Sequence, residues 1–275
     1  MLACTRPAPR SGRVFVICAI AALLGACTGV STNQQSKLPD FKDRISASDE
    51  ADATRRGRAR LELAAAYFGR GQMTTALEQI KLSIQADPNS SEAYNLRGLI
   101  YASLEEPALA DESFRRALQL NPKDADAMQN YGWYLCQQKR YPEADAFFVR
   151  ALGTANYRNA PRTLLTQGVC HLQSGQLGAA EAALTRSYEL DASNPATLLN
   201  LAELLYKRSE YERARFFVRR LNGQADASNA QTLWLAARIE KRLGNHQGAD
   251  DFGVQLSNRF PQSRETSLFR QGSYD

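Results

Sequence analysis

The residue types that could do chemistry are few in this sequence: five cysteines and two histidines among 275 residues. Cys170 and His171 are adjacent, and such a pair could supply a nucleophile and its general base. On a helix, however, neighbouring side chains point about 100° apart, so these two would not face each other. The sequence also has no phosphate-binding loop and no serine-hydrolase or zinc-protease motif. We therefore predict a protein that is not an enzyme and has no metal, cofactor or small-molecule substrate.

The first residues have the parts of a bacterial export signal. Arg6, Arg10 and Arg13 form a positive region, and the apolar run 14–24 (VFVICAIAALL) follows it. This run is too short to span a bilayer comfortably. The same arginines account for much of the net charge of +5, since 31 basic residues remain against 29 acidic ones without them. The charge therefore gives no support for nucleic-acid binding.

The apolar run ends in Leu-Gly-Ala-Cys, residues 24–27. This sequence resembles the bacterial lipobox, in which the cysteine is acylated, with palmitate as a typical chain, and becomes the N-terminus. Thr28 follows, and the lack of Asp there implies sorting to the outer membrane in proteobacterial lipoproteins. We predict a signal peptide over 1–26, lipidation at Cys27 and anchoring to the periplasmic face of the outer membrane. A secretory signal with a chance cysteine, or a signal anchor, remains the alternative.

The rest of the sequence repeats with a period of 34 residues. The segment 96–122 (LRGLIYASLEEPALADESFRRALQLNP) belongs to a unit that begins at Ser91. Gly98 and Ala110 stand at positions 8 and 20 of this unit, where two helices would cross closely, and Phe114 at position 24 would fill the space around the crossing. This is the pattern of the tetratricopeptide repeat, a pair of antiparallel helices joined by a short turn.

Six such units predict an all-α fold, a right-handed superhelix of helix–turn–helix repeats over residues 55–265. Position 20 is alanine in all six units, and position 8 is glycine or alanine in all six. The sixth unit matches least well, because its positions 11 and 24 are Glu240 and Gly253. The polar stretch 27–54 is predicted as the lipidated N-terminus and a flexible tether, part of which could add helix to the first unit, and 266–275 as a polar tail. The units are 57–90, 91–124, 125–158, 161–194, 195–228 and 230–263.

Two cysteines, Cys136 and Cys170, remain in the mature chain and fall on the first helices of consecutive units. An exported chain meets an oxidising compartment, where such a pair can form a disulfide. Parallel neighbouring helices can bring two Cα atoms within the roughly 4.4–6.8 Å that a disulfide requires. The two extra residues between the third and fourth units leave a second interpretation open, that of two inert buried thiols.

The first helix of each unit lines the concave groove of such a superhelix. Its N-terminal half is apolar here, while its C-terminal end is basic from Arg238 and Lys241, next to Trp234. An exposed apolar groove indicates an amphipathic segment of a partner protein. Leu61 and Phe68 could instead be covered by the tether or by a neighbouring helix. The predicted groove residues are Leu61, Ala65, Phe68, Asn95, Leu99, Trp133 and Leu165.

Three stretches are more specific than the repeat itself: 130–136 (NYGWYLC), 233–235 (LWL) and 256–261 (LSNRFP). Together with the lipobox and the six repeats, they resemble the PilF/PilW pilotin family of type IV pilus biogenesis over essentially the whole mature chain. The resemblance implies an outer-membrane lipoprotein that binds the pilus secretin and helps it reach that membrane and multimerise, so that pili assemble and support twitching motility. It also implies that Cys136 and Cys170 match the family's cysteine pair. The competing hypothesis is a tetratricopeptide lipoprotein that serves outer-membrane protein assembly or cell-wall enzymes.

Overall fold

The computed structural model of the protein describes residues 47–274. Every regular element in this range is an α-helix, which confirms the predicted all-α class. None of these helices combines the length and hydropathy needed to cross a bilayer. The helices are α1 (Ala47–Gly69), α2 (Met73–Ala86), α3 (Ser91–Ser103), α4 (Pro107–Leu120), α5 (Ala125–Gln137), α6 (Tyr141–Leu152), α7 (Ala160–Gln173), α8 (Leu177–Leu190), α9 (Pro195–Lys207), α10 (Tyr211–Asn222), α11 (Ala230–Arg242), α12 (His246–Arg259) and α13 (Arg264–Arg270).

The first twelve helices form six pairs, from α1 with α2 to α11 with α12. Each odd-numbered helix packs against its even-numbered partner and also against the next odd-numbered helix. The backbones of consecutive odd-numbered helices approach each other closely, whereas even-numbered helices meet through long side chains, as where the ring centroids of Tyr188 in α8 and Phe217 in α10 lie 5.2 Å apart. The odd-numbered helices therefore lie on the inner side of the stack and line the concave surface, as the tetratricopeptide superhelix predicts.

The starts of several helices are fixed by capping side chains and by restricted backbone. Ser90 precedes α3, and its hydroxyl accepts a hydrogen bond from the backbone N–H of Ala93 at 3.2 Å. Asp124 caps α5 in the same way, on the N–H of Ala127 at 2.9 Å. Pro107 stands in the first turn of α4, where its missing N–H breaks no hydrogen bond. These local signals place the starts of α3 and α5 where the 34-residue period predicts them.

Small residues at position 8 allow the two helices of a pair to cross closely. A Cβ atom added at Gly98 would lie 2.8 Å from the ring of Phe114, and one at Gly168 would lie 2.6 Å from Cγ of Leu184. Phe114 and Leu184 are themselves fully buried at position 24. The crossing therefore has no room for a larger side chain, which is the physical reason for the periodic small residues.

The first helix extends further towards the N-terminus than predicted. Residues 47–54, which the sequence analysis assigned to a flexible tether over 27–54, form the first turns of α1. Three alanines in this segment favour helix, and its acidic residues lie at the N-terminal end, where the helix dipole stabilises negative charge. The packing begins at Gly57, whose carbonyl oxygen accepts a hydrogen bond from the Ser83 hydroxyl at 2.8 Å. Cys27 and the predicted signal peptide lie outside the described residues.

The predicted polar tail over 266–275 was wrong, because much of this segment packs on the last pair as α13 and the residues after it. The ring of Phe269 occupies the space that a side chain at Gly253 would take, since a Cβ atom there would lie 2.0 Å from the ring. The missing position-24 side chain of the sixth unit is thus supplied by another helix. Glu240, at position 11, is 1% exposed and accepts hydrogen bonds from Arg219 (2.6 Å) and Asn245 (2.7 Å).

A disulfide joins Cys136 of α5 to Cys170 of α7, with their Cα atoms 5.9 Å apart. Both residues lie in the cluster of buried side chains that connects the second, third and fourth pairs. Of the two interpretations that the spacing left open, the structure has the bridged pair. The bond links two first helices directly across the junction where the extra residues interrupt the 34-residue period.

Candidate partner-binding groove

An apolar cavity of about 240 Å³ opens on the concave surface between α5, α7 and α9. We call it the central cavity. Trp133 from α5 and Leu165 and Val169 from α7 form its apolar wall, and all three are half-buried. The structure therefore brings together Trp133 and Leu165, which the sequence analysis placed in the groove. The lining residues are Gln129, Trp133, Arg162, Leu165, Thr166, Val169, Ala196 and Asn200.

Two polar residues of this lining, Thr166 and Asn200, are absent from the positions that the sequence analysis considered. Both occupy position 6 of their units, directly after position 5, which holds the predicted groove residues Leu61, Asn95 and Leu165 in other or the same units. The position within the repeat could therefore have indicated them. The Thr166 hydroxyl donates to the carbonyl of Arg162 at 2.9 Å, and the Asn200 amide donates to the carbonyl of Ala196 at 2.8 Å. These hydrogen bonds hold both side chains against their own helices at the rim of the cavity.

The residues predicted for the N-terminal half of the groove are partly covered. Leu61, Phe68 and Leu99 are half-buried and pack against the core cluster of the first two pairs. Ala65 is exposed, and the amide oxygen of Asn95 accepts a hydrogen bond from the next first helix at 3.2 Å. Neighbouring helices thus cover part of the apolar surface that the sequence analysis expected to be open.

The C-terminal end of the groove is covered by the chain itself. Trp234 is only 7% exposed, and the ring of Tyr274 lies 5.1 Å from it between centroids. Nε of Arg238 donates a hydrogen bond to the backbone carbonyl of Tyr274 at 3.2 Å. Nζ of Lys241 lies 5.3 Å from the centroid of the same ring. The two basic residues predicted at this end therefore hold the segment that follows α13.

The connection between α6 and α7 is fixed by a half-buried tyrosine, Tyr157. The Tyr157 hydroxyl donates to Asp126 of α5 at 3.1 Å and lies 3.0 Å from the Thr163 hydroxyl of α7. Burial raises the pKa of Tyr157 to about 12, so the phenol is neutral at physiological pH. Asn159 also donates to Asp126, at 2.9 Å. These contacts position α7 relative to α5 despite the irregular length of the connection.

The adjacent residues Cys170 and His171, considered above as a nucleophile and its base, do not form such a pair. Cys170 is in the disulfide, so it has no thiolate. His171 is turned towards α6, where its Nε2 lies 3.2 Å from the carboxylate of Asp145. In the part of the chain that the structure describes, no group of three or more histidine, cysteine, aspartate or glutamate side chains could hold a metal ion.

Comparison with known proteins identifies the repeat and a specific set of relatives. Profiles of the tetratricopeptide repeat match residues 91–124, 113–146 and 171–252. The chain is 30% identical over 258 residues to the type IV pilus assembly protein PilF of Pseudomonas aeruginosa. This match covers 94% of the chain and 98% of that protein. A match of nearly full length on both sides shows common descent of the whole architecture, beyond a shared repeat.

Two solved structures give the same result. PilW, described as a widely conserved type IV pilus biogenesis factor, superposes with a TM-score of 0.70 at 31% identity, covering 78% of this chain and 98% of PilW. The structure of Pseudomonas aeruginosa PilF superposes with a TM-score of 0.70 at 30% identity, covering 81% of this chain and 99% of PilF. The chain therefore belongs to the family of tetratricopeptide repeat proteins that act in type IV pilus biogenesis and that includes PilF and PilW.

Proposed function

We propose that the protein is an outer-membrane lipoprotein, a pilotin, that binds the type IV pilus secretin through its concave groove. In this role it promotes the localisation and multimerisation of the secretin in the outer membrane. The observation that carries the binding step is the central cavity, an apolar opening on the face that tetratricopeptide repeats use for other proteins. Membership in the PilF/PilW family supports the pilus as the setting.

The central cavity suits an amphipathic segment that places an apolar side chain against Trp133, Leu165 and Val169. Removing this wall from water would contribute about 25 cal/mol for each Å² of apolar surface buried. Arg162 and Asn200 at the rim can form polar contacts that fix the orientation of the segment. The cavity therefore supplies affinity through its wall and specificity through its rim.

The variant Val169→Glu tests this site. A glutamate in the apolar wall would have to lose its hydration when the partner binds, and we expect at least a tenfold loss of affinity for the secretin, equivalent to about 1.4 kcal/mol. Co-purification of the secretin from detergent-solubilised envelope, followed by titration with the purified partner, measures the loss.

Val149→Glu is the matched control, because Val149 is 56% exposed on α6, the second helix of its pair, and is not among the residues that line the central cavity. It carries the same change in charge and helix propensity and is expected to retain secretin capture. Equal capture by both variants would place the secretin site elsewhere on the chain.

The anchor is tested by Cys27→Ser. We expect this protein to fold normally but to carry no acyl chains, since serine cannot form the thioether that begins lipidation. Palmitate labelling should be lost, and both this protein and the secretin should leave the outer-membrane fraction. Cys4→Ser, in the leader but outside the lipobox, is the control and should label and fractionate as the parent does. Palmitate incorporation into the Cys27→Ser protein would contradict the proposed anchor.

A further inference from the structure

A second cavity, of about 290 Å³, lies on the concave surface between α9 and α11. We call it the terminal cavity. Tyr206 of α9 and Trp234 of α11 supply aromatic walls, and Lys207 and Arg238 line it as well. It is one first helix further along the groove than the central cavity, with different lining residues. An opening that combines aromatic surface with positive charge is suited to a peptide.

The chain's own Tyr274 shows how this end of the groove holds a peptide. Its ring packs on Trp234 at 5.1 Å, and its backbone carbonyl accepts a hydrogen bond from Arg238 at 3.2 Å. Lys241 adds a cation 5.3 Å from the ring centroid. An aromatic ring that packs on an indole, together with a main-chain carbonyl that accepts a hydrogen bond from a guanidinium, is one arrangement by which a groove can bind a segment of another chain.

One buried polar atom of the terminal cavity has no hydrogen-bond partner in the described part of the chain, and neither of its two cations forms an ion pair there. The Tyr206 hydroxyl is buried and forms no hydrogen bond among the described residues. Lys207 and Arg238 form no ion pair with any carboxylate of residues 47–274, although Arg238 stacks on Tyr206 at 4.5 Å. The acidic residue of the lining, Glu203, accepts a hydrogen bond from Gln231 at 2.8 Å. The lining therefore carries two positive side chains, Lys207 and Arg238, against one carboxylate, Glu203, and its net positive charge favours an acidic ligand.

We propose that the terminal cavity is a second peptide-binding site, which takes an extended segment of another protein carrying an aromatic residue next to an acidic one. The aromatic ring replaces that of Tyr274 on Trp234, and the carboxylate pairs with Lys207 and Arg238. Trp234 and Arg238 line the terminal cavity and also contact Tyr274. The partner's segment and the chain's own C-terminal segment therefore compete for these two residues. Tyr274 thus occupies part of the site in the free protein and reduces its apparent affinity.

The test uses the acetylated peptide QGSYD, the sequence of residues 271–275, added to the full mature chain. In a Trp133→Phe background Trp234 is the remaining tryptophan, so its fluorescence reports binding at this site. We expect Tyr274→Ala to bind the peptide at least tenfold more tightly than the protein with Tyr274, because the intramolecular competitor is gone. A chain shortened after Gln271 removes the same ring by another route and is expected to bind like Tyr274→Ala.

Three further measurements make the result decisive. The peptide QGSAD is expected to lose the affinity that the aromatic ring provides, and Arg238→Gln in the Tyr274→Ala background is expected to weaken binding of QGSYD. The thermal unfolding midpoint of each variant is compared with that of the parent protein, and a matching value shows that the variant is folded. Equal binding of QGSYD with and without Tyr274, equal binding of QGSAD, or no binding to any variant would overturn the proposal. Because no secretin is present, failure of the proposed secretin site would leave these results unchanged.

Discussion

Replacing both Cys136 and Cys170 by alanine is expected to lower the free energy of unfolding by roughly 3–4 kcal/mol. The bond closes a loop with a sequence separation of 34 residues, and its loss returns that loop's conformational freedom to the unfolded chain. Cys136 and Cys170 are 1% and 4% exposed, so alanine is chosen because it adds no polar group to the core. Urea unfolding followed by circular dichroism, under non-reducing conditions, measures the difference.

The position of this disulfide increases its expected effect. In a repeat protein each unit contacts only its neighbours, so a weakened interface has no compensation from distant repeats. The bond joins α5 to α7 at the interface where the 34-residue period is interrupted. A reducing agent should destabilise the parent by a comparable amount and leave the double alanine variant unchanged. A parent whose unfolding midpoint does not respond to reduction would show that the bond contributes nothing.

Gly168→Val is expected to lower the free energy of unfolding by about 2–3 kcal/mol, the cost of overpacking a core. A Cβ atom at this site would lie 2.6 Å from Cγ and 2.9 Å from Cδ2 of Leu184. Leu184 is fully buried and packs in a core cluster with Leu201 and Leu204 of α9. The helices α7 and α8 would therefore have to separate. The same urea experiment measures the change, and reduced thermal stability should accompany it.

Gly178→Val is the matched control on the other helix of the same pair. A Cβ atom at Gly178 would have no neighbour within 4 Å. Its effect should stay within about 0.5 kcal/mol, because only helix propensity changes there. If the two variants were equally stable, the close crossing at position 8 would not be what requires the small residue.

The two ends of the repeat region show where prediction from the sequence was incomplete. The tether was predicted to continue to residue 54, but α1 begins at Ala47, because helix propensity continued the helix beyond its packed face. At the other end, Glu240 and Gly253 depart from the repeat pattern and left the packing of the sixth unit open. Arg219 donates a hydrogen bond to the buried Glu240, and the ring of Phe269 fills the space beside Gly253. Neither contact follows the 34-residue period, so the repeat pattern could not indicate it.

The groove likewise has features that follow from the repeat pattern and features that do not. Position in the unit puts Trp133 and Leu165 on consecutive first helices, and the structure has both in the lining of the central cavity. The openness of the groove was not predictable. Leu61 and Phe68 are partly covered by neighbouring helices, while Trp234 lies under Tyr274.

The sequence by itself determined the six helix pairs, their register and their close crossings. These depend on local helix signals and on contacts within one 34-residue unit, which each unit repeats. Only the tertiary structure decided which parts of the concave surface stay open: the central cavity, the terminal cavity and the seat that Tyr274 occupies. Those features arise from distances between different repeats and from a segment that follows the last of them. Contacts of this kind depend on the accumulated geometry of the whole stack, which no single repeat encodes.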